Sequence, residues 1–304
     1  MILRLGTRGS RLALVQCEEV GAALRARGVR TETVVIKTSG DRLAQVALAD
    51  FGGKALFVKE IEEALLAGSI DVGIHSLKDM PGELPSGLVL AAFPAREDPR
   101  DALLTRSDGG WASLPAGASV GTSSLRRRAM VLAHRPDLRP EPIRGNVETR
   151  LGKLDAGTYD GIVLALAGLK RLGLSPPHVL PLDVDEFVPA VGQGVLAVEA
   201  REVDREVLEL LGRLDDTRTR SEALAERAFL RRLGAGCHTP MAGHADLHGR
   251  TLTLTAVVAS VDGGTVLRAD ASAPDQDAER LGVAVADELL AKGARALLDV
   301  RGDG

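Results

Sequence analysis

The chain is poor in the residues that would place it in several common classes. Only 2 of its 304 residues are cysteine, so no disulfide framework can hold it together. Aromatic residues make up 2%, too few for a platform that stacks single-stranded bases. The net charge of −4 argues against a bulk binder of nucleic acid. No apolar run is long enough to span a bilayer. The opening Met1-Ile-Leu-Arg-Leu5 lacks a signal-peptide layout. There is no Gly-x-x-x-x-Gly-Lys loop for a nucleotide phosphate, and Gly192-Gln-Gly194 is too short for a dinucleotide fingerprint. These absences predict a cytoplasmic protein with neither a nucleic-acid nor a membrane partner.

What is present suggests a packed, multidomain chain. At 45% hydrophobic and 26% charged residues, a core is available and disorder is not expected. Length alone predicts two or three domains. Short aliphatic runs alternate with helical patterns. Ile2-Leu-Arg-Leu5 reads as a strand, and Ser10 caps a helix that closes at Gly28. Thr33-Val-Val-Ile36 is a second strand, Phe57 to Leu66 has helical apolar spacing, and Asp71-Val-Gly-Ile74 is a third strand. A weak repeat relates Leu65-Leu-Ala-Gly-Ser-Ile-Asp71 to Leu154-Asp-Ala-Gly-Thr-Tyr-Asp160, each placed before a buried strand.

This β–α alternation in both halves predicts an α/β fold of two doubly wound lobes. Lobe 1 is expected to be discontinuous, at 1–95 and 195–213, with lobe 2 at 100–190. Arg96-Glu-Asp-Pro-Arg-Asp101 and Val188-Pro-Ala-Val-Gly-Gln-Gly-Val195 are the two crossings of a double hinge, and a hinge implies a cleft. A small α+β domain at 217–304 follows. Thr219-Arg-Ser-Glu222 reads as a capping box before a helix from Ala223 to Leu233. Beyond it come a strand from Thr251, a turn at Asp262-Gly-Gly264, a return strand, and a last helix closed by Gly293.

Three motifs carry chemistry. Cys237 lies in Gly234-Ala-Gly-Cys-His-Thr-Pro240, without a disulfide partner, on a loop that glycine shapes. Cys17, inside a helical pattern, reads instead as core packing. His75-Ser-Leu-Lys-Asp-Met-Pro81 puts Lys78 beside Asp79 at the C-terminal end of a strand, where open α/β sheets bind ligands. The lysine favours an ionised Asp79, suited to facing a cation or shuttling a proton. Gly121-Thr-Ser-Ser-Leu-Arg-Arg-Arg128 opens a helix with hydroxyls and free backbone N–H groups, an anion site by construction. Ile143-Arg-Gly-Asn-Val-Glu-Thr-Arg150 repeats that design with Arg144 and Arg150. An isolated basic run is usually a solvated face, but two at successive strand ends point to a polyanionic ligand. Removing Arg127 or Arg144 is then expected to cost binding with little cost to the fold.

In order along the chain, Thr7-Arg-Gly-Ser-Arg-Leu-Ala13, Gly52-Gly-Lys-Ala-Leu-Phe-Val-Lys-Glu60, the 75–81 loop, Arg96 to Asp101, the 121–128 helix start, Arg144-Gly-Asn146, Val191-Gly-Gln-Gly194 and the Cys237 loop resemble the porphobilinogen deaminase (hydroxymethylbilane synthase) family. The resemblance runs from Leu3 to at least the Cys237 loop. It implies two periplasmic-binding-protein-like lobes and a third α+β domain. It implies a cytoplasmic, monomeric transferase of porphyrin biosynthesis that condenses four porphobilinogens into hydroxymethylbilane with loss of ammonia. It also implies a dipyrromethane cofactor attached to Cys237 through a thioether.

By the same resemblance, Asp79 handles the pyrrole nitrogens and a cationic azafulvene. Lys78, Ser124, Arg126, Arg127, Arg144 and Arg150 hold cofactor carboxylates. Arg8, Ser10, Ser76, Thr122, Ser123 and Gln193 line the growing chain or incoming substrate, and Lys54 and Phe57 fall on a loop over the cleft. Asp50 stands where some relatives have lysine, and His238 where an amide is common. Two other readings compete: a cytosolic two-lobe anion- or solute-binding protein, and a metalloprotein using Cys237, His238, His244 and His248. The histidine spacings match no zinc template, and His244 and His248 are expected in a loop and turn.

Overall fold

The computed structural model describes residues 1–38, 58–234 and 239–298. Lys54, Phe57, Asp50, Cys237 and His238 therefore lie outside the described residues. The first lobe begins with β1 (Ile2–Arg8), α1 (Arg11–Arg25) and β2 (Arg30–Ile36). It continues through α2 (Lys59–Leu66), β3 (Val72–Ser76) and β4 (Leu88–Ala92). Ser10 caps α1 by accepting from the Ala13 N–H. Helical spacing then turns Cys17, Val20 and Leu24 inward to pack with Leu3 and Leu5 of β1. Cys17 is fully buried, as its apolar surroundings suggested. Burying a Leu or Val side chain this way stabilises by about 1.5–3 kcal/mol.

The second lobe holds β5 (Asp101–Thr105), β6 (Ser119–Gly121), α3 (Leu125–His134) and β7 (Arg139–Glu141). It also holds α4 (Val147–Asp155), β8 (Gly161–Ala165), α5 (Leu166–Arg171) and β9 (Val179–Pro181). The chain then returns through β10 (Leu196–Arg201) and α6 (Arg205–Gly212) to the first sheet.

The two sheets have the same plan. Their strand orders are β2-β1-β3-β10-β4 and β7-β6-β8-β5-β9. In each, the first three strands pair in parallel, and the fourth runs antiparallel after arriving from the other lobe. The weak sequence repeat marks an equivalent point in both. Asp71 accepts the Arg4 N–H of β1, and Asp160 accepts the Ser119 N–H of β6, each just before the central strand. Both crossings predicted from sequence are present. They meet where Glu97 donates its N–H to the Gly194 carbonyl at 3.1 Å. Gly194 has φ +87°, and a Cβ there would come within 2.2 Å of the Glu97 carbonyl oxygen. Only glycine lets the crossings approach this closely.

The C-terminal domain packs α7 (Thr217–Leu233), α8 (Ala278–Ala291) and α9 (Ala294–Leu298) on a meander of β11 (Met241–His248), β12 (Thr251–Ala259) and β13 (Val266–Pro274). Phe229, Leu233, Leu254, Val285 and Leu289 are fully buried in its core.

Two local expectations need correction. The capping box does not cap: α7 starts earlier, and Asp216 accepts the Thr219 N–H at 2.8 Å. Thr219 and Glu222 lie inside the helix, buried, and accept from the backbone and guanidinium of Arg96. A partner on the first crossing outcompetes the local cap. His244 and His248 lie on β11 rather than in a loop and turn. No helix among the described residues is long and apolar enough to cross a membrane.

Candidate active site

The two lobes and the C-terminal domain meet around a cavity of about 210 Å³. Lys78 and Asp79 reach it from the turn after β3, and Ser124, Arg126 and Arg127 from the start of α3. Gln193 comes from the second crossing, and Arg227, Leu230, Thr239 and Met241 from the third domain. An adjoining cavity of about 100 Å³ shares Lys78 and Arg127 and adds Ser76, Arg150 and Arg171. Among the described residues, the cleft is therefore lined by six cations and one exposed carboxylate, Asp79. Thr239, the first described residue after Cys237, is on its wall.

The turn after β3 is held from below. The Leu77 N–H donates to the Val195 carbonyl, and Leu77 and Met80 bury against Val58, Val195 and Ala197. This anchoring leaves Lys78 and Asp79 facing the cleft. Asp79 has no hydrogen-bond or ion-pair partner among the described residues. Lys78 approaches the Gln193 Oε1 at 3.5 Å. Burial, and then the nearby Arg127 charge, push the Lys78 ammonium down to about 8 against the pull of Asp79 and Asp101.

The start of α3 is built differently. The Thr122 Oγ1 accepts from the Ser124 N–H, and the Ser124 Oγ caps the helix by accepting from the Arg127 N–H. The Ser123 Oγ donates to the Ile143 carbonyl at 2.7 Å and accepts its N–H at 3.1 Å. These hydroxyls shape the turn. Arg126 and Arg127 both pair with the fully buried Asp101, each at 2.7 Å. Arg127 also donates to the Val163 carbonyl and Arg126 to the Val188 carbonyl. The Arg126 guanidinium lies 5.9 Å from the Phe187 ring centroid. Burial raises the Asp101 pKa, but the two arginines more than offset it and hold the carboxyl at about 2. Arg128 turns away, to the Pro140 carbonyl.

The expectation that Arg127 is dispensable to the fold is thereby corrected. Removing it leaves a buried carboxylate with half its compensation. Gln193 has a similar task, since its buried amide donates to the Pro99 carbonyl and Asp101 and so joins the two crossings.

The other expected residues are distributed unevenly. The Arg150 Nε donates to the Gly145 carbonyl, and its terminal nitrogens have no partner among the described residues. The Arg144 guanidinium has no partner among them and lines neither cavity. Arg8 and Ser10 end β1 and begin α1 without lining either cavity, and Ser76 accepts from the Gln16 amide. Two cationic cleft residues escaped sequence reasoning. Arg171 pairs with Glu19 at 3.0 Å and donates to the Gly194 carbonyl. Arg227 donates to the Pro81 and Gly82 carbonyls, and burial pushes its guanidinium down to about 10. Its signal was a charged pair, Glu226-Arg227, inside the apolar stripe of a helix. Glu226 is fully buried and accepts from Arg96, the Gly192 N–H and the Ala245 N–H, which ties both crossings to β11.

Two lobes flanking a cationic cleft with an exposed carboxylate define a class: a two-lobed α/β protein whose cleft suits a polycarboxylate. The chain belongs to the porphobilinogen deaminase family. Residues 3–209 match the family described as porphobilinogen deaminase, dipyromethane cofactor binding domain, and residues 221–291 match its C-terminal domain. The chain is 52% identical over 298 residues to porphobilinogen deaminase of Syntrophotalea carbinolica, covering 97% of this chain and 95% of that one. It is 49% identical to the Syntrophobacter fumaroxidans protein, covering 98% and 97%. Among solved structures, the methionine binding protein MetQ aligns over 76% of this chain and 94% of its own at a TM-score of 0.46 and 14% identity.

Dipyrromethane fits this cleft by its donor set. Each pyrrole bears an acetate and a propionate, and the cleft offers Lys78 and the terminal nitrogens of Arg150 for carboxylates. Leu77, Val191, Leu230 and Met241 supply apolar wall for the rings.

Proposed function

We infer that the protein is a transferase that condenses four porphobilinogens head to tail into hydroxymethylbilane, releasing ammonia at each step, in porphyrin biosynthesis. The observation that carries this reading is the convergence of Asp79 with Lys78, Arg126, Arg127 and Arg150 on one cleft. Bound by a thioether to Cys237, dipyrromethane supplies a fixed two-ring primer for the growing chain.

Asp79 accepts the pyrrole N–H and keeps a negative charge facing the substrate carbon as ammonia departs. Lys78, Arg144 and Arg150 bind carboxylates. Arg126 and Arg127, fixed by Asp101, present a preorganised positive edge that needs no rearrangement when the anion arrives. Ser124 and Thr122 hold that edge in place, and Ser123 pins the next strand end to it. Arg8, Ser10, Ser76 and Gln193 border the path of the lengthening chain. Apolar side chains on the third-domain wall exclude water. The lobe limits read from the sequence, 1–95 with 195–213 and 100–190, belong to this proposal, as do a cytoplasmic location and a monomeric state.

The test is intact mass. The purified chain is expected to carry the added mass of a dipyrrole, and Cys237→Ser to lack it and be inactive, since a hydroxyl without an activating base is a poor nucleophile. An unmodified wild-type chain that binds anions would instead favour a two-lobe solute-binding protein. Full activity of the serine variant would overturn the anchor.

A further inference from the structure

Behind the turn that carries Lys78 and Asp79 lies a buried group of ionisable side chains that the reaction does not use. The His75 Nε2 meets the Glu199 Oε2 at 3.0 Å, with side chains 3% and 0% exposed. His75 is on β3 and Glu199 on its antiparallel neighbour β10, where Ala197 faces His75 and Glu199 faces Gly73. Gly73 makes the contact possible. A Cβ there would stand 2.9 Å from the His75 Nε2 and 3.0 Å from Ile61, so the missing side chain leaves room for the ring. Glu62 of α2 is also buried, at 6% exposure. The Glu62 Oε1 and the Glu199 Oε1 are both buried without a hydrogen-bond partner among the described residues.

Glu199 is buried on the imidazole, and Glu62 is buried on a helix packed against both β3 and β10; two such carboxylates, away from water, are costly when both are ionised. A retained proton relieves this. We propose that Glu62, His75 and Glu199 form a positioning cluster that holds one proton, ties α2 to β3 and β10, and so fixes the turn that presents Lys78 and Asp79. The proposal rests on the reading of Asp79 as the working carboxylate of the cleft.

The charges facing the cluster agree. Burial, then the Glu199 charge, push the Glu62 carboxyl up to about 7. His75 opposes that shift, and Glu63, on the same helix, adds to it. From α7, Arg227 feels Glu199 and, across the loop, Glu83. Arg227 also holds the Pro81 and Gly82 carbonyls at the end of the same turn. One side of the turn thus hangs on the cluster and the other on a cation that the cluster faces.

A carboxyl whose folded pKa is raised costs stability as pH climbs through the interval between its unfolded and folded values. Here that interval runs from 4.5 to about 7. Glu62→Gln mimics the protonated acid and removes the dependence. In the full chain, its thermal midpoint is expected to match wild type near pH 5 and to exceed it by several degrees at pH 8. Equal midpoints at every pH, or a variant less stable at pH 8 than at pH 5 relative to wild type, would overturn the cluster.

For positioning, His75→Ala is expected to lower kcat about tenfold or more with KM little changed, because the reacting groups shift by a fraction of an ångström. His75→Gln, whose amide can donate to Glu199, is expected to restore most of that loss. A glutamine variant no better than alanine, or a loss confined to KM, would contradict a positioning role. If Asp79→Asn proves fully active, the reading of the site fails on its own, and the Glu62→Gln midpoints still decide whether the cluster holds a proton.

Discussion

The turn after β3 and the start of α3 face each other across one cleft, and each was read from sequence as a site for charge. They are built in opposite ways. At α3 the arginines arrive paired, with Asp101 buried between them and backbone carbonyls taking further donors. After β3 the carboxylate is exposed and has no partner among the described residues. The lesson concerns preorganisation. A cation meant to hold a carboxylate in place gains from being locked beforehand, since ordering a long side chain at binding costs about 0.5–1.5 kcal/mol. A carboxylate meant to meet charge that appears only during reaction must stay unspent.

The largest difference is expected between losing a paired arginine and losing one without a partner among the described residues. Arg127→Leu leaves Asp101 undercompensated, and stability is expected to fall by about 3–5 kcal/mol in denaturant unfolding. Arg144→Leu, which removes a guanidinium without a partner among the described residues, is expected to unfold at nearly the wild-type midpoint. Equal stability of the two variants would return Arg127 to a solvated role.

A smaller effect is expected in binding. Arg150→Leu keeps the fold but leaves a ligand carboxylate unpaired, a loss of about 1–3 kcal/mol per contact. Cofactor content by intact mass and KM for porphobilinogen report it, and unchanged values for both would remove Arg150 from the site.

The smallest effect is a pH dependence. Lys78 is cationic below about 8 and loses its charge as pH rises through that value. Its hold on carboxylates weakens in the same direction, so kcat/KM is expected to fall several-fold between pH 7 and 9. Lys78→Arg keeps its charge over that range and is expected to flatten the decline. An identical profile in the arginine variant would assign the decline to another group.

Features with local signals were legible in the sequence. Ser10 and the spacing of Cys17, Val20 and Leu24 give α1, and the aliphatic run before His75 delivers Lys78 and Asp79 to the cleft. The charged crossing at 96–101 and the Gly-rich one at 191–194 are where the chain passes between sheets. What was illegible depends on distant partners. Nothing near Arg127 announces a pairing with Asp101, 26 residues away. Thr219 and Glu222 satisfy the local capping pattern and yet serve Arg96, more than 120 residues earlier. The strand β11, Met241-Ala-Gly-His-Ala-Asp-Leu-His248, has few β-branched or aromatic residues, and register with β12 rather than propensity makes it a strand. Arg171 follows a strand end as the predicted site residues do, but the leucines around it read as ordinary helix packing.

Whether the β3 turn supplies the reacting charge and the α3 start a fixed one is decided by single-turnover kinetics on cofactor-loaded Asp79→Asn. Asparagine keeps the size and removes the charge. Asp79→Asn is expected to retain the cofactor and to form the first carbon–carbon bond about a hundredfold slower or more. A bond formed as fast as in wild type would contradict a reacting charge there and leave Asp79 a surface residue beside a cationic cleft.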